Sequence, residues 1–264
     1  MKFNYNTLDV TLHKETRSLT VALNRPEKNN AINIEMLFEL EGLFSWLTSH
    51  LEVNAIVLTG SGDQFCSGFD SDELKIMSEE KLQKYMARFQ KVVAGMLHLP
   101  QTIICDLKNG AAGMGIELAL GADIRVSRST STLHFNQLDK GWVPCAGGVG
   151  LLNVWVGQST ARHWTMTSAK VNGQDQRERG FTMETYSEGE NCTEKILKNI
   201  FAQAPVARIQ AKRSFLESIL PELQRTFEYE SVFSFASMKT QDWKKDSDEP
   251  FTAARDLARE IQQQ

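Results

Sequence analysis

The chain has 264 residues, of which 41% are hydrophobic and 23% charged, and its formal net charge is −4 at pH 7. This length suits one large domain, or a domain and a half, with a substantial buried core. The weak acidity, without a long Lys/Arg run, argues against nucleic-acid binding, and no apolar stretch reaches the roughly 18 residues of a membrane span. Residues 1–6 lack an apolar signal core, and the four cysteines are far apart without a CxxC pair, so we expect a cytoplasmic protein without structural zinc.

The first half of the sequence alternates strand-like and helix-like segments. Short apolar and β-branched runs predict strands over 19–23, 55–59, 102–105 and 124–126. Apolar residues that recur every three or four positions predict helices over 34–51, 79–99 and 113–120. Short buried strands connected by helices are typical of an α/β fold.

The strand signals vanish from about residue 193. Four successive helices are predicted beyond it, two of which begin near a proline, over 193–203, 205–220, 221–240 and 250–262. The polar segments 172–179 and 187–191 are expected to be mobile connections. We therefore expect a core over residues 1–192 and a helical region over residues 193–264.

Two Gly-rich segments, Gly62–Asp70 and Asn109–Glu117, each follow a predicted strand. Glycine permits unusual φ angles and close ligand approach and leaves backbone N–H groups free, although both segments also fit ordinary turns. The second segment imitates a dinucleotide-binding βαβ unit. Its position in the middle of the chain argues against that alternative, as does a following strand that ends in Ser127-Arg128 without an acidic residue to bind a ribose.

Four motifs, in order over about residues 10–180, together resemble the crotonase (enoyl-CoA hydratase/isomerase) family. They are LNRPEKNNAIN at 23–33, FCSGFD at 65–70, NGAAGMGIELALGADIR at 109–125 and GWVPCAGG at 141–148. The third is one residue shorter than the family pattern in its Gly-rich turn. The resemblance implies an α/β fold, with a crotonase-like ββα spiral core and a C-terminal helical trimerisation region, and therefore a homotrimer or a homohexamer.

The resemblance also implies an enzyme that stabilises the enolate of an acyl-coenzyme A substrate, with no cofactor beyond the coenzyme carried in that thioester and no metal. The backbone N–H groups of Ser67 and Met114 would form the oxyanion hole, where a helix N-terminus favours negative charge at Met114. The shortened turn makes Gly113 the neighbouring candidate for the second donor. Glu117, one helical turn after Met114, would transfer the proton at the substrate's α and β carbons, and burial would raise its pKa. A solvated helix Glu is the alternative interpretation of this residue.

The second glutamate of the family pattern is replaced here by Gln137, four residues before Gly141. An amide can hold a water or a substrate by hydrogen bonds, but it cannot accept and return a proton. Efficient hydration is therefore in doubt, and hydration or dehydration, double-bond isomerisation and decarboxylation stay open. A catalytically weak paralogue that binds acyl-CoA or serves as a trimeric scaffold is the alternative. Asp139 would point with Gln137 in a strand, and we interpret it as a structural charge and Cys145 as an inert thiol.

Contacts with the coenzyme are implied for the first two motifs. Arg25 and Lys28 lie where the family contacts the coenzyme A phosphates, although Lys28 also fits a solvated loop charge. The backbone of Gly68, Phe69 and Asp70 would face the adenine. Phe69 and Trp142 are candidates for shaping the acyl channel, although aromatic side chains at such positions are more often core.

Overall fold

The fold was obtained as a computed structural model, and the structure describes residues 3–190, 192–245 and 249–253. The strands in this part of the chain are Leu8–His13 (β1), Ser18–Leu23 (β2), Ala55–Gly60 (β3), Thr102–Asp106 (β4), Gly110–Ala112 (β5), Ile124–Arg128 (β6), Thr132–His134 (β7), Lys170–Asn172 (β8) and Glu184–Tyr186 (β9). The α-helices are Ile34–Leu47 (α1), Ser71–Lys75 (α2), Glu79–His98 (α3), Met114–Leu120 (α4), Gly150–Val156 (α5), Gln158–Met166 (α6), Gly173–Glu178 (α7), Cys192–Phe201 (α8) and Pro205–Met238 (α9). Short 3-10 helices lie at Pro26–Lys28, Leu138–Lys140 and Asp242–Lys244.

The strands form two sheets that agree with the predicted α/β class. The larger sheet has the order β1-β2-β3-β4-β6-β9, in which β1 and β2 are antiparallel and the other neighbours parallel. All six residues of β3 are buried, as expected for a parallel strand that is covered on both faces. The smaller sheet has the order β5-β7-β8 and begins inside the second Gly-rich segment.

The first long helices begin at side-chain caps and bury one face each. The Asn33 side chain accepts a hydrogen bond from the Met36 N–H and so caps α1, and Ser78 caps α3 in the same way. α3 ends before Leu99-Pro100, because proline cannot continue the helical hydrogen bonds. One apolar core extends from β1 to the C-terminal helices and includes side chains of α9.

The C-terminal region is less divided than the sequence predicts. A single helix, α9, replaces the two helices predicted over 205–220 and 221–240, and it contains Pro221 in its interior. Proline removes one backbone hydrogen bond, but the buried residues Leu216 and Leu223 stand on both sides of it. Packing of this continuous face against the core outweighs the lost bond, so the helix continues.

Two further predictions concern segments without strong periodicity. The predicted mobile connection over 172–179 is wrong, because the end of β8 and α7 occupy it. Asn172 caps α7 at the N–H of Asp175, and the fully buried Gln176 amide donates to the Val171 carbonyl. Residues 187–190 form a turn without regular structure. The helix predicted over 250–262 lies mostly outside the described residues, and 250–253 are not helical.

Candidate active site

The two Gly-rich segments lie side by side at the start of α4. The Phe65 N–H donates to the Gly110 carbonyl at 3.1 Å, and the Ala112 N–H donates to the Cys66 carbonyl at 3.0 Å. Gly68 has a φ of +103°, and a Cβ placed on it would lie 3.5 Å from the Met114 nitrogen and 3.1 Å from the Ala112 carbonyl oxygen. Only a glycine allows the first segment to approach α4 this closely.

The backbone N–H groups at this junction are unequally available. Within the described part of the chain, no oxygen accepts a hydrogen bond from the Met114 N–H at the start of α4. The Gly113 N–H donates to the His134 carbonyl at 3.1 Å, so Gly113 does not offer a second free donor. The Ser67 N–H donates to the Asn29 carbonyl at 3.0 Å. In this conformation one of the two expected oxyanion donors is open and the other is occupied.

Glu117 is a buried carboxylate and not a solvated helix residue, because it is only 1% exposed. Its Oε2 accepts hydrogen bonds from the Cys145 N–H at 2.9 Å and the Ala146 N–H at 2.6 Å. Its Oε1 accepts from the Gln137 amide at 3.2 Å. Burial raises the pKa of Glu117, and these hydrogen bonds, which favour the carboxylate, partly oppose that rise.

Gln137 lies beside Glu117, but Asp139 does not. Leu138–Lys140 form a 3-10 helix, in which successive side chains turn by about 120°, so the strand geometry expected here is wrong. Gln137 is buried, and its Oε1 has no hydrogen-bond partner in the part of the chain that the structure describes. Asp139 is exposed and lies 3.5 Å from His134, which fits its interpretation as a structural charge.

The charged residues of the first motif, at 23–33, have partners of their own. The Arg25 guanidinium donates to the Ala31 carbonyl and to Asp70, both at 2.7 Å, and Asp70 also caps α2. Arg25 therefore holds the first two motifs together, and a contact with coenzyme phosphates requires exchange of these bonds. Lys28 pairs with Asp72 at 2.6 Å, but both side chains are largely exposed, so solvent weakens this pair.

Aromatic side chains close one side of the site. The ring of Trp142 lies 5.2 Å from that of Phe69 and 5.2 Å from that of Trp243, measured between centroids. Trp142 is buried, and its indole N–H has no partner among the described residues. Trp243 was not predicted from the sequence, because its contact depends on how the C-terminal segment returns to the core.

Glu230 on α9 is the other residue that sequence reasoning missed. It is 3% exposed and accepts hydrogen bonds from the N–H groups of Gly147 (2.6 Å), Val149 (2.8 Å) and Gly150 (3.1 Å). Burial, together with the charge of Glu117, raises the pKa of Glu230 to about 7. Glu230 lies seven residues after Leu223 and fourteen after Leu216, on one face of the helix, and this spacing is the signal that could have indicated a buried position.

The structure also bears on three other features: the reactivity of a cysteine thiol, metal binding and membrane-spanning helices. Cys145 is buried, and burial raises the pKa of its thiol well above the usual range, so it is a poor nucleophile. Across residues 3–190, 192–245 and 249–253, no three His, Cys, Asp or Glu side chains are grouped so that they could hold a metal ion. No helix in those same ranges has the length and apolarity needed to cross a membrane.

Comparison with known proteins gives a consistent family. The model of the family described as enoyl-CoA hydratase/isomerase matches residues 14–256. The chain is 27% identical over 239 residues to the short-chain-enoyl-CoA hydratase of Clostridium acetobutylicum, covering 89% of this chain and 92% of that protein. It is 25% identical over 254 residues to the mitochondrial Delta(3,5)-Delta(2,4)-dienoyl-CoA isomerase of Rattus norvegicus, covering 90% and 77%. The crystal structure of an enoyl-CoA hydratase/isomerase from Mycobacterium paratuberculosis superposes with a TM-score of 0.85 at 21% identity, covering 92% and 98%.

Proposed function

The chain belongs to the enoyl-CoA hydratase/isomerase family, and from that premise we propose that it shifts the double bond of an enoyl-CoA, with Glu117 as the proton-transfer residue. The observation that carries this proposal is that the buried carboxylate of Glu117 has the amide of Gln137 as its side-chain neighbour. A shift of a double bond needs one group that removes a proton and returns it nearby, whereas addition of water is easiest with two carboxylates.

The proposed reaction uses only the substrate and this carboxylate. In a 3-enoyl-CoA, Glu117 removes a proton from C2, and the electron pair of that C–H bond moves into the thioester to form an enolate. The pair then returns as the C2–C3 double bond, while the electrons of the C3–C4 double bond take the proton back from Glu117 at C4. Atoms and charge balance without a co-reactant. A base with a raised pKa suits this step, because it both accepts and returns the proton readily near neutral pH.

The enolate oxygen would be held at the start of α4. The free N–H of Met114 supports this role, since a donor aimed at developing negative charge is worth on the order of 10²–10³ in rate. Ser67 would be the second donor if the thioester oxygen replaces the Asn29 carbonyl as its acceptor. The coenzyme would lie along Gly68 and Phe69, with its phosphates near Lys28, whose exposed pair with Asp72 exchanges easily.

One observation favours hydration as a second candidate. The buried Oε1 of Gln137 has no partner among the described residues, and it can accept a hydrogen bond from a water that also donates to Glu117. Only Glu117 could then take the proton of that water. The occupied Ser67 N–H favours the other alternative, a weakly active paralogue that binds acyl-CoA.

Isomerisation, hydration, decarboxylation and a weakly active paralogue are separated by incubating the protein with crotonyl-CoA, a 3-enoyl-CoA and a malonyl-type CoA, followed by mass spectrometry and chromatography of the products. We expect the 3-enoyl-CoA to be converted to its 2-enoyl isomer without change of mass. Addition of one water to crotonyl-CoA at a higher rate than isomerisation of the 3-enoyl-CoA would favour hydration. Loss of carbon dioxide from the malonyl-type CoA would favour decarboxylation. Binding of all three without conversion would contradict the proposal and favour the weak paralogue.

The assembly is proposed as a homotrimer, or a homohexamer made of two trimers. Support comes from α9, which exposes large apolar side chains that the core of one subunit does not cover. They are Val206, Phe215, Tyr229, Val232 and Phe233. Exposed apolar surface of this extent is typical of a protein interface.

A further inference from the structure

The loop Cys145–Gly150 is held between two buried carboxylates. The N–H groups of Cys145 and Ala146 bond to Glu117. Those of Gly147, Val149 and Gly150 bond to Glu230. Five of the six backbone donors of the loop therefore end on one of two side chains that come from α4 and α9. Neither carboxylate is more than 3% exposed, so no solvent substitutes for a lost partner.

A third side chain ties the same loop to α9. The Gln90 amide of α3 donates to the Cys145 carbonyl at 2.8 Å and to the Phe227 carbonyl at 3.0 Å. Its oxygen accepts from the Ser231 hydroxyl at 3.2 Å. The face of α9 that carries Glu230 is thus fixed to the loop from two sides, and the loop is fixed in turn to Glu117.

We propose that Glu230 is a positioning residue for the proton transfer: it holds the loop whose N–H groups orient the Glu117 carboxylate. The inference rests on the proposed function of Glu117. Without Glu230, the N–H groups of Gly147, Val149 and Gly150 lose their acceptor, and the donors to Glu117 in the same loop lose their fixed position. Catalytic geometry of this kind is sensitive to displacements of about 1 Å.

The effect of Glu230 on the pKa of Glu117 has a definite sign. The charged group that faces Glu230 is Glu117 on α4. The other polar side chains at the loop are uncharged, namely the thiol of Cys145 and the amide of Gln90 on α3. The charge of Glu117 raises the pKa of Glu230, so Glu117 ionises first and Glu230 is still protonated over the pH range in which Glu117 titrates. Replacing Glu230 by a neutral residue therefore removes no charge that acts on Glu117, but it frees the loop, and weaker hydrogen bonds from the loop N–H groups raise the pKa of Glu117.

The test uses three variants of the full chain. Glu230→Gln keeps the size of the side chain but removes the charge and one acceptor oxygen. Glu230→Asp keeps the charge but shortens the reach to the loop, and it serves as the second variant if the amide does not fold. Glu228→Gln, at an exposed position on the same helix, is the matched control.

Two measurements are made on each variant. The first is amide hydrogen exchange of residues 145–150, which needs no substrate. The second is the pH dependence of kcat and of KM for the 3-enoyl-CoA. For Glu230→Gln we expect faster exchange in the loop, a kcat at least about ten-fold lower with KM little changed, and an acid limb of the kcat profile that moves to higher pH. For Glu230→Asp we expect faster exchange and a shift of the acid limb in the same direction, and for Glu228→Gln wild-type behaviour throughout.

Wild-type exchange in the loop of Glu230→Gln, or a loss of kcat with an unmoved acid limb, would overturn the positioning role. For Glu230→Asp, exchange as slow as in the wild type would do the same. Failure of the proposed function looks different: the wild type then turns over none of the acyl-CoA substrates. Hydrogen exchange still decides in that case whether Glu230 fixes the loop.

Discussion

At the scale of single residues, the most important feature is that the carboxylate of Glu117 lies beside the amide of Gln137, whereas the family pattern has two carboxylates. Glu117 is buried, bound by backbone N–H groups and adjacent to Gln137. Burial raises the pKa of Glu117, while Gln137 remains neutral at any pH at which the protein is folded. One group of this pair can therefore carry a proton, and this asymmetry limits the chemistry more than any other single residue does.

Restoring a second carboxylate tests that limit directly. We expect Gln137→Glu to increase the rate of crotonyl-CoA hydration by about ten-fold or more, because a second carboxylate can deprotonate the water that Glu117 helps to hold. The free energy of unfolding should fall by about 1–3 kcal/mol, since a second buried acid next to Glu117 must be ionised or lose a hydrogen bond. Product analysis and urea denaturation measure the two effects. Gln174→Glu, at an exposed position, is the control, and an unchanged hydration rate in Gln137→Glu would count against a limit set by the single carboxylate.

At the scale of elements, the site is made where loops meet helix starts. The loop Cys145–Gly150 passes so close to α4 that a Cβ on Gly148 would lie 2.4 Å from the Pro144 Cβ and 3.1 Å from the Glu117 Cδ. Both neighbours resist movement, the first because of its ring and the second because of its hydrogen bonds. A glycine at this position is what allows the loop to deliver its N–H groups to the carboxylate.

A methyl group at this position should disturb the site without removing any functional group. We expect Gly148→Ala to lower the free energy of unfolding by about 1–3 kcal/mol, the usual cost of overpacking, and to reduce kcat because Glu117 is displaced. Gly95→Ala in α3 is the matched control, and it should stabilise the protein by about 0.5–1 kcal/mol, because a Cβ placed there would meet no described atom outside its own stretch of helix within 4 Å. Thermal unfolding and turnover of the two variants make the comparison. A Gly148→Ala protein as stable and active as the wild type would show that the loop is free to move.

Periodicity predicted the elements that bury a regular face, and motif order predicted the family. The helix over 79–99 and the strand over 102–105 correspond to α3 and β4. Pairings distant in sequence leave no such pattern, which is why the contacts of Glu230 and Trp243 were missed. The single helix through Pro221 was missed for a related reason, because tertiary packing overrides the local preference of proline. The partner of the Ser67 N–H depends on loop geometry that spacing alone does not determine.

At the scale of the whole molecule, α9 contributes a buried face to the main core while an apolar face of the same helix remains exposed. Phe215 is 78% exposed and Val206 71%. Burying a side chain of that size is worth about 1.5–3 kcal/mol, so several of them provide the free energy for stable association between subunits. Subunit assembly is therefore expected on the helix that also carries Glu230.

Assembly is measurable without substrate. We expect sedimentation equilibrium to give a mass of three chains of 29.8 kDa, or of six. Phe215→Glu should dissociate the assembly, because it places a charge within an interface that is otherwise apolar. Ile76→Glu, at a position that is 85% exposed and outside α9, is the control and should leave the mass unchanged. A wild-type chain that sediments as a monomer would contradict the proposed assembly.

The central claim, proton transfer by Glu117, is tested most directly by kcat for isomerisation of a 3-enoyl-CoA in the wild type and in Glu117→Gln. The amide keeps the size of the side chain but cannot take a proton, so we expect kcat to fall by about 10²–10⁴ while acyl-CoA binding persists. Asp139→Asn, which removes an exposed carboxylate two residues from Gln137, should retain wild-type turnover. Unchanged turnover by Glu117→Gln would contradict the claim.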